Sequence, residues 1–360
     1  MKVLFITRKY PPSVGGMEQF AYELSSALAA KVDLKLVKWG RPGRLAAIFV
    51  ALPYLAIRSF SVLMRGGVDV IHVHDGVLAP MGYVLSKLFR KPLVVVIHGL
   101  DITYRNPLFR LFVPPSVRRA NTVVCISRAA ASAAEQRRIA KARIQIIPPL
   151  ISDDLYGQSG RQELLAGLNL PDHSQLLLTV GRLVERKGVA WFIDNVMPGL
   201  TADYPDIIYL VGGEGPARPD IEAAIERRGL QKQVRLLGRL SDDLRSAAFN
   251  GADVFVMPNI NVPGDMEGFG LVLLEASLCE LPVVAAATEG ILDAVTDGRN
   301  GRLVPVHDAA AFQQQIGGFL KDGSAAASFG AASRRFSLDH FERNKLSQRY
   351  IDIYQELIEH

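Results

Sequence analysis

Short apolar runs, rich in β-branched residues, occur in two series along this chain, and longer segments of helical periodicity separate them. The runs are apolar throughout rather than alternately apolar and polar, which is typical of parallel strands covered by helices on both faces of the sheet. The first series comprises Val3 to Thr7, Leu34 to Val37, Val68 to His74, Leu93 to His98, Thr122 to Ser127 and Ile144 to Pro148. The second comprises Gln175 to Val180, Ile207 to Val211, Val234 to Leu237, Val254 to Met257 and Val283 to Ala286. The pattern predicts an α/β protein with two doubly wound domains that bind ligands at the carboxyl ends of their strands and face each other across a cleft.

Chain length supports this division. The 360 residues, of which 49% are hydrophobic, are enough for two domains with separate cores. We place the boundary after Leu150, where a Pro-Pro step follows a strand, so the second domain begins at residue 151. Met1 to Thr7 is too short an apolar run for a signal peptide, and the widely separated Cys125 and Cys279 are typical of a reducing compartment. These features predict a cytoplasmic protein.

Charge is distributed very unevenly between the two halves. Residues 1–150 carry 22 Lys and Arg against 7 Asp and Glu, a net charge of +15, whereas residues 151–360 carry 19 against 29, a net charge of −10. Such asymmetry favours an anionic partner for the first half, and anionic lipid headgroups or an acidic glycan would supply one; a solvated basic surface without a partner is the alternative. Nucleic acid is disfavoured, because no recognised binding motif accompanies the basic residues.

Two segments of the first half are candidates for contact with a membrane. Leu45 to Met64 is the most apolar stretch, but Pro53 and Arg58 interrupt it, and a span needs about 20 uninterrupted residues. We favour a helix buried in the first domain over an interfacial one. Residues 104–119 mix aromatic and basic side chains, which favours a peripheral membrane-surface patch; a solvated loop with a few anchoring aromatics is the alternative. The predicted patch comprises Arg105, Phe109, Arg110, Phe112, Arg118 and Arg119.

Two segments that follow strands are suited to binding phosphate. Gly15 and Gly16 precede a helix, so that backbone N–H groups there can meet a phosphate, with a simple turn as the alternative. Arg182 and Lys187 follow the strand Gln175 to Val180, and their charges can clamp a diphosphate. The alternative for this second segment is a surface turn with exposed cations.

The strongest signal is the spacing of Glu267 and Glu275 in the sequence Glu267-Gly-Phe-Gly-Leu-Val-Leu-Leu-Glu275. Glycines mark the start of a helix near Gly270, and Glu275 is the only charged residue from Leu271 to Cys279. A lone carboxylate in an apolar helix must be paired, hydrogen-bonded or directed at a ligand. It can accept from both hydroxyls of a ribose, and Glu267 can meet a second hydroxylated group. A structural Glu–Arg pair is the alternative.

Histidine and aspartate follow two strands of the first domain. His98 and Asp101 come after the fourth strand, and His74 and Asp75 come after the third. These positions open on the cleft, where a histidine can meet a ligand or simply satisfy backbone groups; both interpretations stay open for His98, and the structural one is favoured for His74. We predict no metal site, and we assign Asp101 and Glu18 to the acceptor side.

Taken together, these segments resemble the retaining glycosyltransferases of family 4, and the likeness runs in order over nearly the whole chain. It rests on the Gly15-Gly16 loop, on Arg182 with Lys187, on the glycine-rich segment 212–216 and on the spacing from Glu267 to Glu275. The resemblance implies the GT-B fold, with an N-terminal acceptor-side Rossmann-like domain (1–150) and a C-terminal nucleotide-sugar-binding one (151–343). The last helix, about 344–360, is implied to return to the first domain. One departure is the linker Pro149-Leu150-Ile151-Ser152-Asp153, where many members carry Asn-Gly-Val-Asp.

The resemblance also implies roles for individual residues. Glu275 would bind the donor ribose, Glu267 the transferred sugar, and His98 would lie beside the reacting sugar. Arg182, Lys187 and the Gly16 amide would stabilise the departing diphosphate. The remaining donor-binding residues would be Gly15 in the N-terminal Gly-Gly loop, Gly238, Arg239 and Leu240 near the base, and Gly268, Phe269, Gly270 and Leu271 near the sugar or diphosphate.

The predicted function is transfer of a hexose or N-acetylhexosamine from a nucleotide diphosphate sugar to a lipid-linked or polysaccharide acceptor of the cell envelope. Retention at the anomeric carbon, without a metal or other cofactor, follows from the resemblance. The basic first half predicts an acceptor at the inner face of a membrane. A nucleotide-sugar 2-epimerase of the same architecture and a non-catalytic subunit that binds glycan or lipid are the alternatives.

Overall fold

A computed structural model describes residues 1–40, 48–104, 106–151 and 160–359 of the chain. The predicted patch residue Arg105 and the linker residues Ser152 and Asp153 lie outside these ranges. The chain divides into two compact units. Unit 1 comprises Met1–Ser152, Gly264–Phe269 and Phe341–His360, and unit 2 comprises Asp153–Pro263 and Gly270–His340. No sequence signal indicates that Gly264–Phe269 groups with unit 1 rather than with the residues on either side of it.

Unit 1 is built on a six-stranded sheet in the order β2-β1-β3-β4-β5-β6, in which every pairing is parallel. The strands are β1 (Lys2–Thr7), β2 (Asp33–Lys38), β3 (Val70–Val73), β4 (Leu93–Ile97), β5 (Thr122–Cys125) and β6 (Ile144–Ile146). The helices are α1 (Gly16–Ala29), α2 (Ile48–Met64), α3 (Ala79–Phe89), α4 (Leu100–Thr103), α5 (Pro107–Val117), α6 (Arg128–Gln136) and the C-terminal α16 (Arg343–Glu359).

Unit 2 repeats the architecture, with a six-stranded sheet in the order β12-β11-β10-β7-β8-β9, again parallel. The strands are β7 (Gln175–Val180), β8 (Ile207–Gly212), β9 (Val234–Gly238), β10 (Val254–Met257), β11 (Val283–Ala286) and β12 (Arg302–Val304). The helices are α7 (Arg161–Leu168), α8 (Val189–Asn195), α9 (Met197–Asp203), α10 (Arg218–Arg228), α11 (Asp242–Gly251), α12 (Leu271–Leu278), α13 (Ile291–Ala294), α14 (Ala309–Lys321) and α15 (Gly323–Phe341).

The central strands of both sheets are buried on both faces, as their continuous apolar sequences predict. Every residue of β4, Leu-Val-Val-Val-Ile, is fully buried, and so is β11. Residue type also fixes several helix starts: the hydroxyl of Ser127 accepts from the Ala130 amide at α6, and that of Ser241 accepts from the Leu244 amide at α11. Sequence pattern therefore defines strands and caps, and burial between helical layers supplies most of the stability.

The expectation that the segment ending at Met64 is a buried helix is correct for only one face of α2. Ala51, Leu55 and Leu63 are buried, but Phe49 is 82% exposed and Ile57 is 69% exposed. The reason is that α2 packs only its inner face on β1, β2 and α3, and its opposite face carries apolar residues beside the exposed Arg58. No helix in the described ranges combines the length and apolarity required to span a membrane.

Residues 107–117 are helical rather than a solvated loop. The Asn106 side chain accepts from the amides of Leu108 and Phe109 and so caps α5, which continues through Pro114 and Pro115. Val113 and Val117 face the core, whereas Leu108, Leu111 and Phe112 are exposed. The aromatic and basic residues thus occupy the outer face of an amphipathic helix.

Candidate functional site

Strand order locates one candidate site in each unit. In a doubly wound sheet, ligands bind beyond the carboxyl ends of the two strands at which the strand order reverses. In unit 1 these strands are β1 and β3, and in unit 2 they are β7 and β10. The segments that follow them contain most of the residues that the sequence singles out.

An arginine and an aspartate join the two strand ends in unit 1. Arg8 directly follows β1, and its Nε lies 2.9 Å from Oδ2 of Asp75, which follows β3. Asp75 is fully buried, and its Oδ1 also accepts from the amide of Leu78. The charge of Asp75 raises the pKa of the Arg8 guanidinium above its ordinary value, against the effect of burial. Asp75 therefore holds a cation at the edge of the sheet where a ligand would bind.

His98 is held in place by Asp101. Oδ1 of Asp101 accepts from the amide of His98, and Oδ2 accepts from the amide of Gly76, both at 2.8 Å. Burial raises the pKa of the Asp101 carboxyl, although the charge of His98 and the two amides oppose this shift. Both oxygens of Asp101 thus accept from backbone amides, which fixes the backbone of His98 relative to that of Gly76.

The ring of His98 belongs to a buried group of histidines. Its Nε2 lies 2.8 Å from the carbonyl oxygen of His74, and its ring centroid is 5.1 Å from that of His74. Nδ1 of His74 lies 3.3 Å from Nε2 of His72. Burial, followed by the charge of His98, lowers the pKa of His72 to about 3 and shifts that of His74 in the same direction. His72 and His74 are therefore uncharged core residues at neutral pH. His98 directly follows the end of β4.

The glycine pair opens α1, as the sequence predicts, and Gly16 is the first helical residue. No side chain caps this helix start, so its first amides keep their hydrogen-bonding capacity. Glu18 is buried, and its Oε1 pairs with Nζ of Lys9 at 2.8 Å. The pairing satisfies the charge of Glu18 within unit 1.

Glu267 lies in the short segment that groups with unit 1, and it is buried. At its neighbour Gly268, an added Cβ would lie only 2.1 Å from the carbonyl oxygen of His98, so no other residue fits this close approach. Phe269 is also buried, with its ring centroid 5.8 Å from that of Phe341. Backbone contact therefore places residues 267–269 next to His98.

In unit 2 the segment after β7 carries both predicted phosphate ligands. Arg182 is exposed, whereas Lys187 is buried. The Lys187 side chain packs against Gly181, and a Cβ added there would lie 3.9 Å from its Nζ. Gly188 follows with φ of 65°, and a Cβ there would lie 1.9 Å from the carbonyl oxygen of Pro258, just after β10. Through this contact the segment after β7 packs against the end of β10. These are the two strands that border the candidate crevice.

The predicted base-binding segment follows β9. The amide of Gly213 donates to the carbonyl oxygen of Gly238 at 2.7 Å, so the loop after β8 lies against the end of β9. Arg239 is exposed and Leu240 is partly buried, with its Cδ1 2.7 Å from where a Cβ would lie on Gly212. The glycines after β8 thus allow two loops to pack closely at this edge.

Glu275 lies one turn into α12, which begins at Leu271 after Gly270. Its Oε2 lies 2.5 Å from Nη2 of Arg245 on α11, and the Glu275 side chain is 11% exposed. This is the Glu–Arg pair that the sequence leaves open as the alternative to a ribose site. The pair and a ribose site are compatible, because a carboxylate has about four acceptor positions.

Sequence reasoning missed Arg8 and Arg245. Arg8 directly follows a strand at the carboxyl edge of a parallel sheet. The same position in the sequence singles out His98, so Arg8 could have been predicted as a site residue. Arg245 lies on α11 within Asp-Asp-Leu-Arg-Ser, 30 residues before Glu275, and no pattern connects the two. Among the described residues, no group of three or more His, Cys, Asp or Glu side chains is arranged to hold a metal ion.

Two family profiles match the chain in succession. Residues 14–155 match the profile described as Glycosyltransferase Family 4, and residues 160–336 match the one described as Glycosyl transferases group 1. The chain is a group 1 glycosyltransferase. The predicted family and enzyme class are confirmed.

Curated relatives of this glycosyltransferase span most of its length. It is 26% identical over 364 residues, covering 94% of each chain, to a GDP-mannose-dependent α-(1-6)-phosphatidylinositol monomannoside mannosyltransferase of Mycolicibacterium smegmatis. It is 23% identical to the N-acetyl-α-D-glucosaminyl L-malate synthase of Bacillus anthracis, covering 96% of this chain and 95% of that one.

Solved structures establish the GT-B fold. The Anabaena protein HepE in complex with UDP matches with a TM-score of 0.78 at 20% identity, covering 99% of this chain and 100% of that one. A sucrose-phosphate synthase of Thermosynechococcus elongatus matches with a TM-score of 0.80 at 22% identity, covering 99% of this chain and 98% of that one. The predicted α/β fold with two Rossmann-like units is confirmed.

Proposed function

We propose that this glycosyltransferase moves a hexose or N-acetylhexosamine from a nucleotide diphosphate sugar to a lipid-linked or polysaccharide acceptor, with retention at the anomeric carbon and without a metal. The observation that carries the donor part is the buried carboxylate of Glu275 at the start of α12, in the unit that also carries the buried Lys187 after β7. The names of the relatives support it, because one relative is GDP-mannose-dependent and one structural neighbour binds UDP.

The donor's charged end is assigned to unit 2. Lys187 carries its charge at the buried edge of the sheet, and Arg182 offers a planar guanidinium from an exposed position. Fixed cations stabilise a departing diphosphate because its negative charge grows as the bond to the sugar breaks. Glu275 is assigned to the ribose, with Gly238, Arg239 and Leu240 assigned to the base.

The reacting sugar is assigned to Glu267 and His98, which belong to the same unit and adjoin through the close approach at Gly268. In the proposed step, the bond from the anomeric carbon to the phosphate oxygen breaks, and the acceptor oxygen bonds to the same face. The acceptor proton passes to the departing phosphate oxygen. Glu267 binds sugar hydroxyls, and Asp101 holds the backbone that carries His98.

The acceptor is proposed to lie at a membrane surface because of the charge and the exposed face of unit 1. Helices α2, α3 and α5 contain no Asp or Glu, and each exposes large apolar side chains. Arg110, Arg118 and Arg119 are exposed on or beside α5. Basic residues near an anionic leaflet contribute about 1 kcal/mol each, and apolar side chains add burial. One relative is named for a phosphatidylinositol-based acceptor.

The deciding experiment is calorimetry of the purified protein against UDP-, GDP-, ADP- and CDP-sugars in the presence of EDTA, followed by NMR of any slow hydrolysis or transfer product. We expect one nucleotide to bind clearly, and the new sugar to keep the donor's anomeric configuration. Inversion would contradict retention, and binding that requires added Mg²⁺ would contradict metal independence. The two alternatives, an epimerase and a non-catalytic subunit, find no support in the comparisons.

A further inference from the structure

Arg245 and Glu275 form an ion pair at the candidate donor site of unit 2. Nη2 of Arg245 lies 2.5 Å from Oε2 of Glu275, and the two side chains are 29% and 11% exposed. Glu275 is the only charged residue of α12, so Arg245 is its countercharge. A buried carboxylate without such a partner is costly, and the fixed geometry of the pair restricts the rotamer of both side chains.

A second contact holds Arg245 itself in place. Its guanidinium carbon lies 5.6 Å from the ring centroid of Phe249, one turn further along α11. That ring is stacked on Phe255 of β10, with centroids 5.6 Å apart and planes inclined by 13°. Phe249 and Phe255 are both buried. The guanidinium is therefore held on a rigid aromatic surface at the strand whose end borders the crevice.

Only one carboxylate oxygen of Glu275 is used by the pair. The ion pair faces Oε2, and a carboxylate has further acceptor positions on its other oxygen. Because the guanidinium fixes the orientation of the carboxylate through Oε2, the remaining lone pairs point in one direction. Two neighbouring hydroxyl donors match that arrangement. The ion pair and the site for a vicinal diol are then parts of the same arrangement.

We propose that Arg245 is a positioning residue for the donor: it orients Glu275 so that the carboxylate accepts from the ribose hydroxyls of a nucleoside diphosphate. The inference rests on the proposed function, because it requires a nucleotide donor in unit 2. It assigns Arg245 no contact with the ribose, the base or the diphosphate.

The test compares ribonucleotides with deoxyribonucleotides. Calorimetry of the wild-type protein with UDP, GDP, ADP and CDP identifies the nucleoside diphosphate that binds, and the same titration uses its 2′-deoxy analogue. Both are then titrated into Arg245→Leu, into Arg245→Lys, and into the control Arg227→Leu, which removes an exposed ion pair to Asp194 on the same unit.

For Arg245→Leu we expect affinity for the ribonucleotide to fall about tenfold or more, which is the usual effect of losing a charge-assisted hydrogen bond, and affinity for the 2′-deoxy analogue to stay within about twofold. Arg245→Lys keeps the positive charge but lacks the planar guanidinium, so it should lose part of the preference for the ribonucleotide over its 2′-deoxy analogue. This variant replaces Arg245→Leu in the test if the leucine variant does not fold. The control should match the wild type.

Equal losses for both nucleotides, or an unchanged preference for the 2′-hydroxyl in both Arg245 variants, would show a purely structural ion pair and overturn the inference. If no nucleoside diphosphate binds the folded wild-type protein, the proposed donor is wrong, and the inference falls with it. The two failures are distinguishable, because the first leaves wild-type binding intact.

Discussion

The hydroxyl of Tyr354 lies 2.8 Å from Nδ1 of His72, which joins the last helix to the centre of the first sheet. Both side chains are fully buried. Burial raises the pKa of Tyr354 and lowers that of His72, so both groups are neutral when they share this hydrogen bond. The contact anchors α16 within unit 1, although most of unit 2 lies between this helix and residues 1–152 along the chain.

Replacing Tyr354 with Phe should destabilise the protein by about 1–3 kcal/mol, because Nδ1 of His72 would be left unsatisfied in the core. Urea unfolding measures the effect. The control Tyr22→Phe removes a hydroxyl from a tyrosine that is exposed on α1 and should change stability little. Equal stability of both variants would show that the buried hydrogen bond contributes nothing.

Stability should fall as pH decreases below about 6.5. The pKa of His72 in the folded protein is about 3, below its ordinary value of 6.5, so between these values the unfolded chain binds a proton that the folded chain excludes. The loss by pH 5 is about 2 kcal/mol for this residue. Urea unfolding at pH 7.5 and 5.0 measures it, and the double variant His72→Phe/Tyr354→Phe, which removes both partners, should show a smaller loss. An equal loss in the double variant would count against His72.

Replacing Glu275 with Gln should weaken nucleotide binding about tenfold or more, because a neutral amide is a weaker acceptor for hydroxyl groups than a carboxylate. Calorimetry measures the affinity. Glu280→Gln, close to the end of the same helix and half-exposed, is the matched control. Unchanged donor affinity in Glu275→Gln would show that the carboxylate does not bind the donor and only pairs with Arg245.

Replacing Asp101 with Ala should lower the rate of donor hydrolysis about tenfold while leaving donor affinity nearly unchanged, because it frees the amides of His98 and Gly76. Asp101→Asn keeps one carbonyl acceptor and should restore part of the rate. Asp69→Ala, which removes an acceptor for the Lys2 amide before β3, is the control. A wild-type rate in Asp101→Ala would show that His98 needs no such anchor.

Vesicle sedimentation at low salt should show stronger binding to anionic than to neutral liposomes. Arg110→Glu should weaken the anionic binding about fivefold or more, and Phe112→Ser should weaken it by removing an exposed ring that the lipid would bury. The matched controls in unit 2 are Arg235→Glu and Leu292→Ser, both exposed. Equal binding to both kinds of vesicle would contradict the membrane proposal.

Much of the fold could be predicted from local pattern. The strands Gln175–Val180, Val254–Met257 and Val283–Ala286 have the predicted bounds, because continuous burial requires continuous apolar sequence. Strand β12, Arg302–Val304, was not predicted, since three residues carry too little periodicity. The helix α5 contains two consecutive prolines, which locally favour a loop, and packing of its inner face on α3 overrides that preference.

The amino-acid sequence by itself determined the two parallel α/β units, the family and the spacing of Glu267 and Glu275. These follow from periodicity and spacing, which are local properties. Only the tertiary structure decided that Glu275 pairs with Arg245, that Asp101 binds the His98 amide and that one face of α2 stays exposed. Each of these depends on which side chains neighbouring elements bring together, and because many residues of the same type are available along the chain, spacing alone does not select among them.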